Sequence, residues 1–252
     1  MWLTSRTGHG LCGQRSLLIK AIMNVKRAIG RAVRVLKKSL EPEKRRVFCV
    51  GRNKTGTTSL SAALEQLGYR VGDQQEGELL IEDWAKRDFR SLVAYCRKSD
   101  AFQDSPFGRD FTFQAMDQAF PGSKFILTVR DSDEQWYASV VRFHTMRLHE
   151  RTGENRLPTG RDLQEDPYNY TGYLWRVWQL VYGVAEGDDL YPKEALIREY
   201  NEHNRRIQDY FRHRPNDLLV LNVAESPAME RLCRFLGRPY AGQKMLKFNE
   251  SK

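Results

Sequence analysis

Apolar and polar positions along this chain alternate between two periods, and the switches between them lay out most of the fold. Apolar runs of strand length occur near 46–50, 100–103, 124–129 and 217–222. Between them, spacing of three and four predicts helices near 56–68, 82–98, 132–149, 171–186 and 192–213. Strands that alternate with helices in this way predict an α/β fold, three-layer α/β/α, with a central parallel sheet between helices. The stretch from Glu150 to Tyr170 follows neither period and is rich in Gly, Pro, Asp and Asn. A connection of that length reads as a lid, a binding loop or a disordered segment. No internal repeat or low-complexity tract is visible.

The first strand runs straight into Gly51-Arg52-Asn53-Lys54-Thr55-Gly56-Thr57-Thr58-Ser59, and the helix that follows ends at Gly68. A loop of this kind at a helix start offers unpaired N–H groups and a partial positive charge to an anion. The step from Gly51 to Gly56 is that of the Walker loop, but Thr57 stands where that loop has lysine, and Lys54 comes three residues earlier. In nucleotide kinases the Walker lysine serves the β- and γ-phosphates and the next hydroxyl holds magnesium. Here the amides and hydroxyls of residues 55–59 are expected to wrap one phosphate. Lys54 would approach the oxygen that joins this phosphate to its next group.

Downstream, the strand Lys124–Val129 ends in Arg130-Asp131, and a helix opens at Ser132 and carries Ser139. A guanidinium fork beside a hydroxyl suits a dianionic phosphate. An ion pair with Asp131 or a neighbouring acid at the strand end is the other reading of Arg130.

Together the two segments resemble the PAPS-dependent sulfotransferases (PAPS, 3′-phosphoadenosine 5′-phosphosulfate), in particular their bacterial-type domain, whose fold is P-loop NTPase-like. The resemblance runs from about residue 45 to 250. It takes in Tyr200–Asn204, Asp217–Leu221, Arg231–Gly237 and Phe248-Asn249. It implies PAPS as co-substrate, PAP as product, and sulfuryl transfer to a hydroxyl of a carbohydrate, lipid or small alcohol. Arg52, Asn53, Lys54, Thr55, Gly56, Thr57, Thr58 and Ser59 are its implied 5′-phosphate loop, and Arg130 and Ser139 its 3′-phosphate ligands. The family usually has proline two residues after the arginine and serine eight after it; here Ser132 and a nine-residue step occur. No metal is required on this reading, because lysine and helix dipole supply the positive charge. The alternatives are a P-loop kinase or NTPase and a catalytically inactive nucleotide-binding homologue.

Sulfuryl transfer needs a base for the acceptor proton. Asp104, in the loop after the second strand, is expected at the carboxyl end of the sheet beside Lys54, where ligands of open parallel sheets bind. A loop cap is its other reading. His144 and His149 on the later helix are further candidates. Tyr168, Tyr170, Tyr173, Trp175 and Trp178 could form an aromatic wall over an acceptor or simply fill core.

With 252 residues and 40% apolar content, the chain has enough for one sizeable core, a domain over 45–252 preceded by an extension over 1–44. The net charge of +9 suggests nucleic acid, but its distribution does not. Ten lysines and arginines against Glu41 and Glu43 fall within 1–44, which leaves the rest of the chain one charge from neutral. Leu18, Ile22, Val25, Ile29, Val33 and Leu36 recur at helical spacing among those cations. Residues 17–38 therefore read as a basic amphipathic segment for peripheral membrane contact or targeting, as a helix packed on the domain, or as sequence upstream of a start at Met23. No apolar run approaches the roughly 20 residues of a membrane span. Cys12, Cys49, Cys96 and Cys233 have neither paired nor metal-ligand spacing, as in a cytoplasmic protein with reduced thiols.

Overall fold

The computed structural model describes residues 45–246. The amphipathic pattern of 17–38, Cys12, Phe248 and Asn249 lie outside them. In chain order the elements are β1 (Val47–Cys49), α1 (Thr57–Gln66), α2 (Gln74–Glu78), α3 (Ile81–Ala85), α4 (Arg90–Cys96), β2 (Ala101–Phe102), α5 (Thr112–Ala119) and β3 (Lys124–Thr128). They continue with α6 (Asp133–Thr152), α7 (Gly160–Glu165), α8 (Tyr173–Tyr182), α9 (Lys193–Phe211), β4 (Leu218–Leu221) and α10 (Ala228–Leu236).

The four strands form one parallel sheet in the order β2-β1-β3-β4, with Phe48 opposite Phe102 on one side and Phe125 on the other. Successive side chains leave a strand on opposite faces, so each strand feeds two cores. Val47, Cys49, Ile126 and Leu221 pack with Leu60 and Leu64 of α1 and Met229 and Leu232 of α10. Phe48, Val50, Phe102, Phe125 and Leu127 pack with α4, α5 and α9. The second face is aromatic: the Phe48 ring lies 5.4 Å from Phe102 and 5.5 Å from Phe125. A third cluster joins α3, α6, α7, α8 and the first half of α9, with Trp136 stacked on Tyr200 at 4.5 Å.

From β1 the chain crosses to β2 on one side, then returns past β1 to β3 on the other. The crevice opens at this reversal, between the carboxyl ends of β1 and β3. Gly51 lets the two ends meet, since a Cβ there would lie 2.8 Å from the Thr128 nitrogen and nearer still to its other atoms.

Three expectations need correction. The helix over 82–98 is divided into α3 and α4, with α2 ahead of them. Arg87 turns into the left-handed region (φ 59°), and Asp88 then accepts from the Arg90 backbone at 3.2 Å, which restarts the helix. Helix α5 was not anticipated, although Phe113, Met116 and Phe120 have its spacing. It is one short amphipathic turn pair entered from Phe111 at φ 65°, with no capping residue to announce it. The irregular stretch 150–170 is tied down by charge as well as by the buried Leu163. Thr159 and Asp162 form a capping box, and Arg147 holds Asp166 through hydrogen bonds of 2.6–3.2 Å.

Candidate active site

The loop between β1 and α1 makes two left-handed turns, at Lys54 (φ 67°) and Gly56 (φ 93°). Gly56 is required twice over: its φ disfavours any side chain, and a Cβ would strike the Val223 methyl group. The helix that follows has no side-chain cap and no acid in its first turn. Helix α6, by contrast, carries Ser132 as cap and Asp133 and Glu134 in its first turn. The start of α1 is thus left for an external anion. Asn53, Lys54, Gly56, Thr57, Thr58 and Ser59 all line the cavity at this point.

Two residues of the expected loop set do not face the cavity with their side chains. Arg52 is buried, donates to the Gly108 carbonyl at 2.8 Å, and pairs with Asp110 and Glu199. It clamps β1's end to the loop after β2 and to α9. The Thr55 hydroxyl donates to the Arg52 carbonyl and lies 2.6 Å from Thr128 Oγ1, so it braces the loop against β3. Neither side chain is a phosphate ligand in this geometry.

The second motif meets the first directly. Arg130 Nε donates to the Lys54 carbonyl at 2.7 Å, and Trp136 Nε1 to the Asn53 carbonyl at 3.0 Å. Ser139 Oγ donates to the Gln135 carbonyl at 2.8 Å and lies 3.5 Å from Arg142 Nη2. Arg130, Ser139 and Arg142 line the cavity together. Burial and then the nearby Arg142 charge push the Arg130 guanidinium below its ordinary range, as expected for two cations placed to share an anion. Arg142 escaped the sequence reading, although it lies three residues past Ser139 on the same helix face. Asp131 is turned away, held by Asn222 and Gln135. It is not placed as a Walker-B carboxylate would be.

The Lys54 ammonium sits 3.5 Å above the Phe143 ring. Burial pushes its pKa down, while Asp104 pulls it up. Asp104 is itself left-handed (φ 63°), accepts from the Ser105 amide at 2.8 Å and from Thr57 Oγ1 at 3.0 Å, and lines the cavity. It therefore caps its loop and faces the site at once.

A second carboxylate, Glu78, was not foreseen. Only 4% exposed, it accepts from Gln74, Tyr168 and Asn169 at 2.5–3.1 Å. Burial, then the charge of Asp104, push its pKa up. The two carboxylates occupy one cavity but differ in surroundings. Nothing in the five-residue α2 could have singled Glu78 out; only the chain's return at Tyr168 and Asn169 gives it partners.

The two candidate histidines have other partners. His144 lines the cavity, but burial and the Lys54 charge push its pKa down to about 3, and its Nδ1 lies 2.8 Å from the Tyr191 hydroxyl. His149 lies 3.1 Å from the Gly153 carbonyl at the end of α6, outside the cavity. Of the aromatic group, Tyr168, Tyr173 and Trp178 line the cavity, Tyr170 is exposed, and Trp175 packs over Gly160.

The cavity has a volume of about 630 Å³. Loop and cations form one side, and Val140, Leu174, Val177 and Trp178 an apolar side. Among the described residues no helix is long and apolar enough to cross a membrane. Among curated proteins none matches the chain. A family model described as a sulfotransferase domain matches residues 46–252.

Proposed function

Since the chain belongs to the sulfotransferase-domain family, we propose that it transfers a sulfuryl group from PAPS to an acceptor hydroxyl. The observation that carries this reading is the bond from Arg130 to the Lys54 carbonyl, which gives the two anion-binding motifs one shared cavity. On this reading the amides at the start of α1, with Thr57, Thr58 and Ser59, hold the 5′-phosphate. Arg130, Ser139 and Arg142 hold the 3′-phosphate. PAPS supplies the activated sulfuryl group. The new bond forms between sulfur and the acceptor oxygen as the bond from sulfur to the bridging phosphate oxygen breaks. Lys54 stabilises the charge that develops on that oxygen, and Asp104 takes the acceptor proton. A cation fixed where charge appears needs no reorganisation during the reaction.

The reading also includes a cytoplasmic setting, to which the free, buried Cys49, Cys96 and Cys233 lend support. Residues 1–44 are read as a basic extension of the 45–252 domain, with 17–38 suited to an anionic membrane surface.

The test is calorimetric titration of the full chain with PAP, adenosine 5′-monophosphate and Mg-ATP, on wild type and Arg130→Ala. PAP is expected to bind in the micromolar range, or about −8 kcal/mol, and much more tightly than the other two. Arg130→Ala should lose that preference. Equal or tighter binding of Mg-ATP would return the loop to a kinase reading.

A further inference from the structure

The proposed reaction leaves one cation of the cavity unused. Arg109 lines it and is only 5% exposed. Among the described residues no ion pair reaches its guanidinium, and its Nη1 is buried without a hydrogen-bond partner. Its neighbour in the fold, Arg52, is just as buried but is bracketed by Asp110, Glu199 and the Gly108 carbonyl. A buried guanidinium nitrogen without a partner is unfavourable, so its position needs an explanation beyond folding.

A second group points the same way. Ser105, four residues earlier on the same loop, lines the same cavity, and its Oγ is likewise buried without a partner. The loop that carries both is held in place. The loop backbone is fixed by Gly108 N to Asp104 O and Arg109 N to Pro106 O, both 3.0 Å, and Thr112 Oγ1 bonds the Pro106 carbonyl at 2.9 Å. Arg109 acts on Tyr173, as Glu78 and Asp104 also do, and on Arg52. Arg109 thus lies near the start of α8, on the loop that also carries Asp104. The same cavity has an apolar wall, built by Val140, Met146, Leu174, Val177 and Trp178.

We infer that the acceptor is an amphipathic hydroxy acid, whose carboxylate pairs with Arg109 and Ser105 while its apolar body lies against α6 and α8. A planar guanidinium matches a carboxylate through two parallel hydrogen bonds, and the Ser105 hydroxyl adds a third donor. The hydroxyl at the other end of the molecule rests on the sulfuryl-transfer reading; the carboxylate site does not.

The test uses small probes on the full chain, free and saturated with PAP. Sodium benzoate, benzamide and phenyl phosphate are titrated by NMR against wild type, Arg109→Gln and Arg109→Lys, with thermal unfolding of each. Wild type should bind benzoate at least about tenfold more tightly than benzamide. Arg109→Gln should lose that preference, Arg109→Lys should keep part of it, and PAP affinity and thermal stability should not fall in either variant. Equal binding of benzoate and benzamide by wild type, or binding of neither, overturns the inference without recourse to a variant. Preference for phenyl phosphate, or loss of PAPS affinity in Arg109→Gln, would reassign the guanidinium to a phosphate or to the donor. Failure of PAP to bind would count against the donor reading alone, because the benzoate comparison can still be read on the free chain.

Discussion

The Lys54 ammonium rests 3.5 Å above the face of Phe143, so a cation from the β1–α1 loop is held by a ring from α6. The contact is electrostatic and directional, which keeps the charge in the cavity at a low cost in side-chain freedom.

Lys54→Ala should reduce single-turnover release of PAP from PAPS by about a hundredfold or more, some 2.7 kcal/mol, the size of a lost transition-state contact. Phe143→Leu, which removes only the ring beneath the ammonium, should cost less than about tenfold. Near-normal release by Lys54→Ala would remove Lys54 from the chemistry.

Asp104→Asn should slow transfer by about 10²–10⁴, as loss of a positioned base does, whereas Glu78→Gln should cost far less. The opposite order in rapid-quench kinetics would move the base to Glu78. Because the folded-state pKa of Glu78 is raised, the native protein holds that proton more firmly than the unfolded chain. Wild type should therefore lose stability relative to Glu78→Gln as pH rises from the ordinary value of 4.5 through the raised one, visible in denaturant midpoints.

Arg142→Ala should weaken PAP by about tenfold and leave adenosine 5′-monophosphate unchanged, since it would remove one charge-assisted contact to the 3′-phosphate alone. An equal loss for both nucleotides in calorimetry would place Arg142 elsewhere on the ligand.

Gly56→Ala combines an unfavourable φ with a collision against Val223. It should destabilise the domain by about 2 kcal/mol or more and abolish PAP binding. Thermal unfolding beside a PAP titration separates the two effects.

Acid should unfold the domain partly through His144. Its folded-state pKa of about 3 lies below the ordinary 6.5, so the unfolded chain takes up a proton that the native one refuses. Stability is lost as pH falls from about 6.5 toward 3, on the order of 2 kcal/mol by about pH 5. His203, pushed down to about 4 by burial and by Arg52, acts in the same direction. His144→Gln, which can still bond Tyr191, should show a flatter fall in urea midpoint over that range.

How much of this was legible in the sequence follows from what each feature depends on. The four strands and the two motifs rest on local pattern: apolar runs, glycines at fixed steps, and an arginine and a serine around one helix start. All four strands lie within the expected ranges, and Lys54, Arg130 and Ser139 do converge on one cavity. What the sequence could not show depends on long-range partners. Arg52 looked like a ligand because it lies in the loop, yet Asp110 and Glu199, distant in sequence, claim it. Glu78 sits on an unremarkable short helix until Tyr168 and Asn169 reach it, about 90 residues later. Arg109 is conspicuous only by the partners it lacks, which no sequence pattern displays.

Arg130 donates its Nε to the carbonyl of Lys54, the residue whose ammonium is proposed to serve the leaving group. On the proposed reading, the residue that engages the extra phosphate also holds the backbone of Lys54, so loss of Arg130 should be read out in rate as well as in affinity. Arg130→Ala would then be slow even at saturating PAPS.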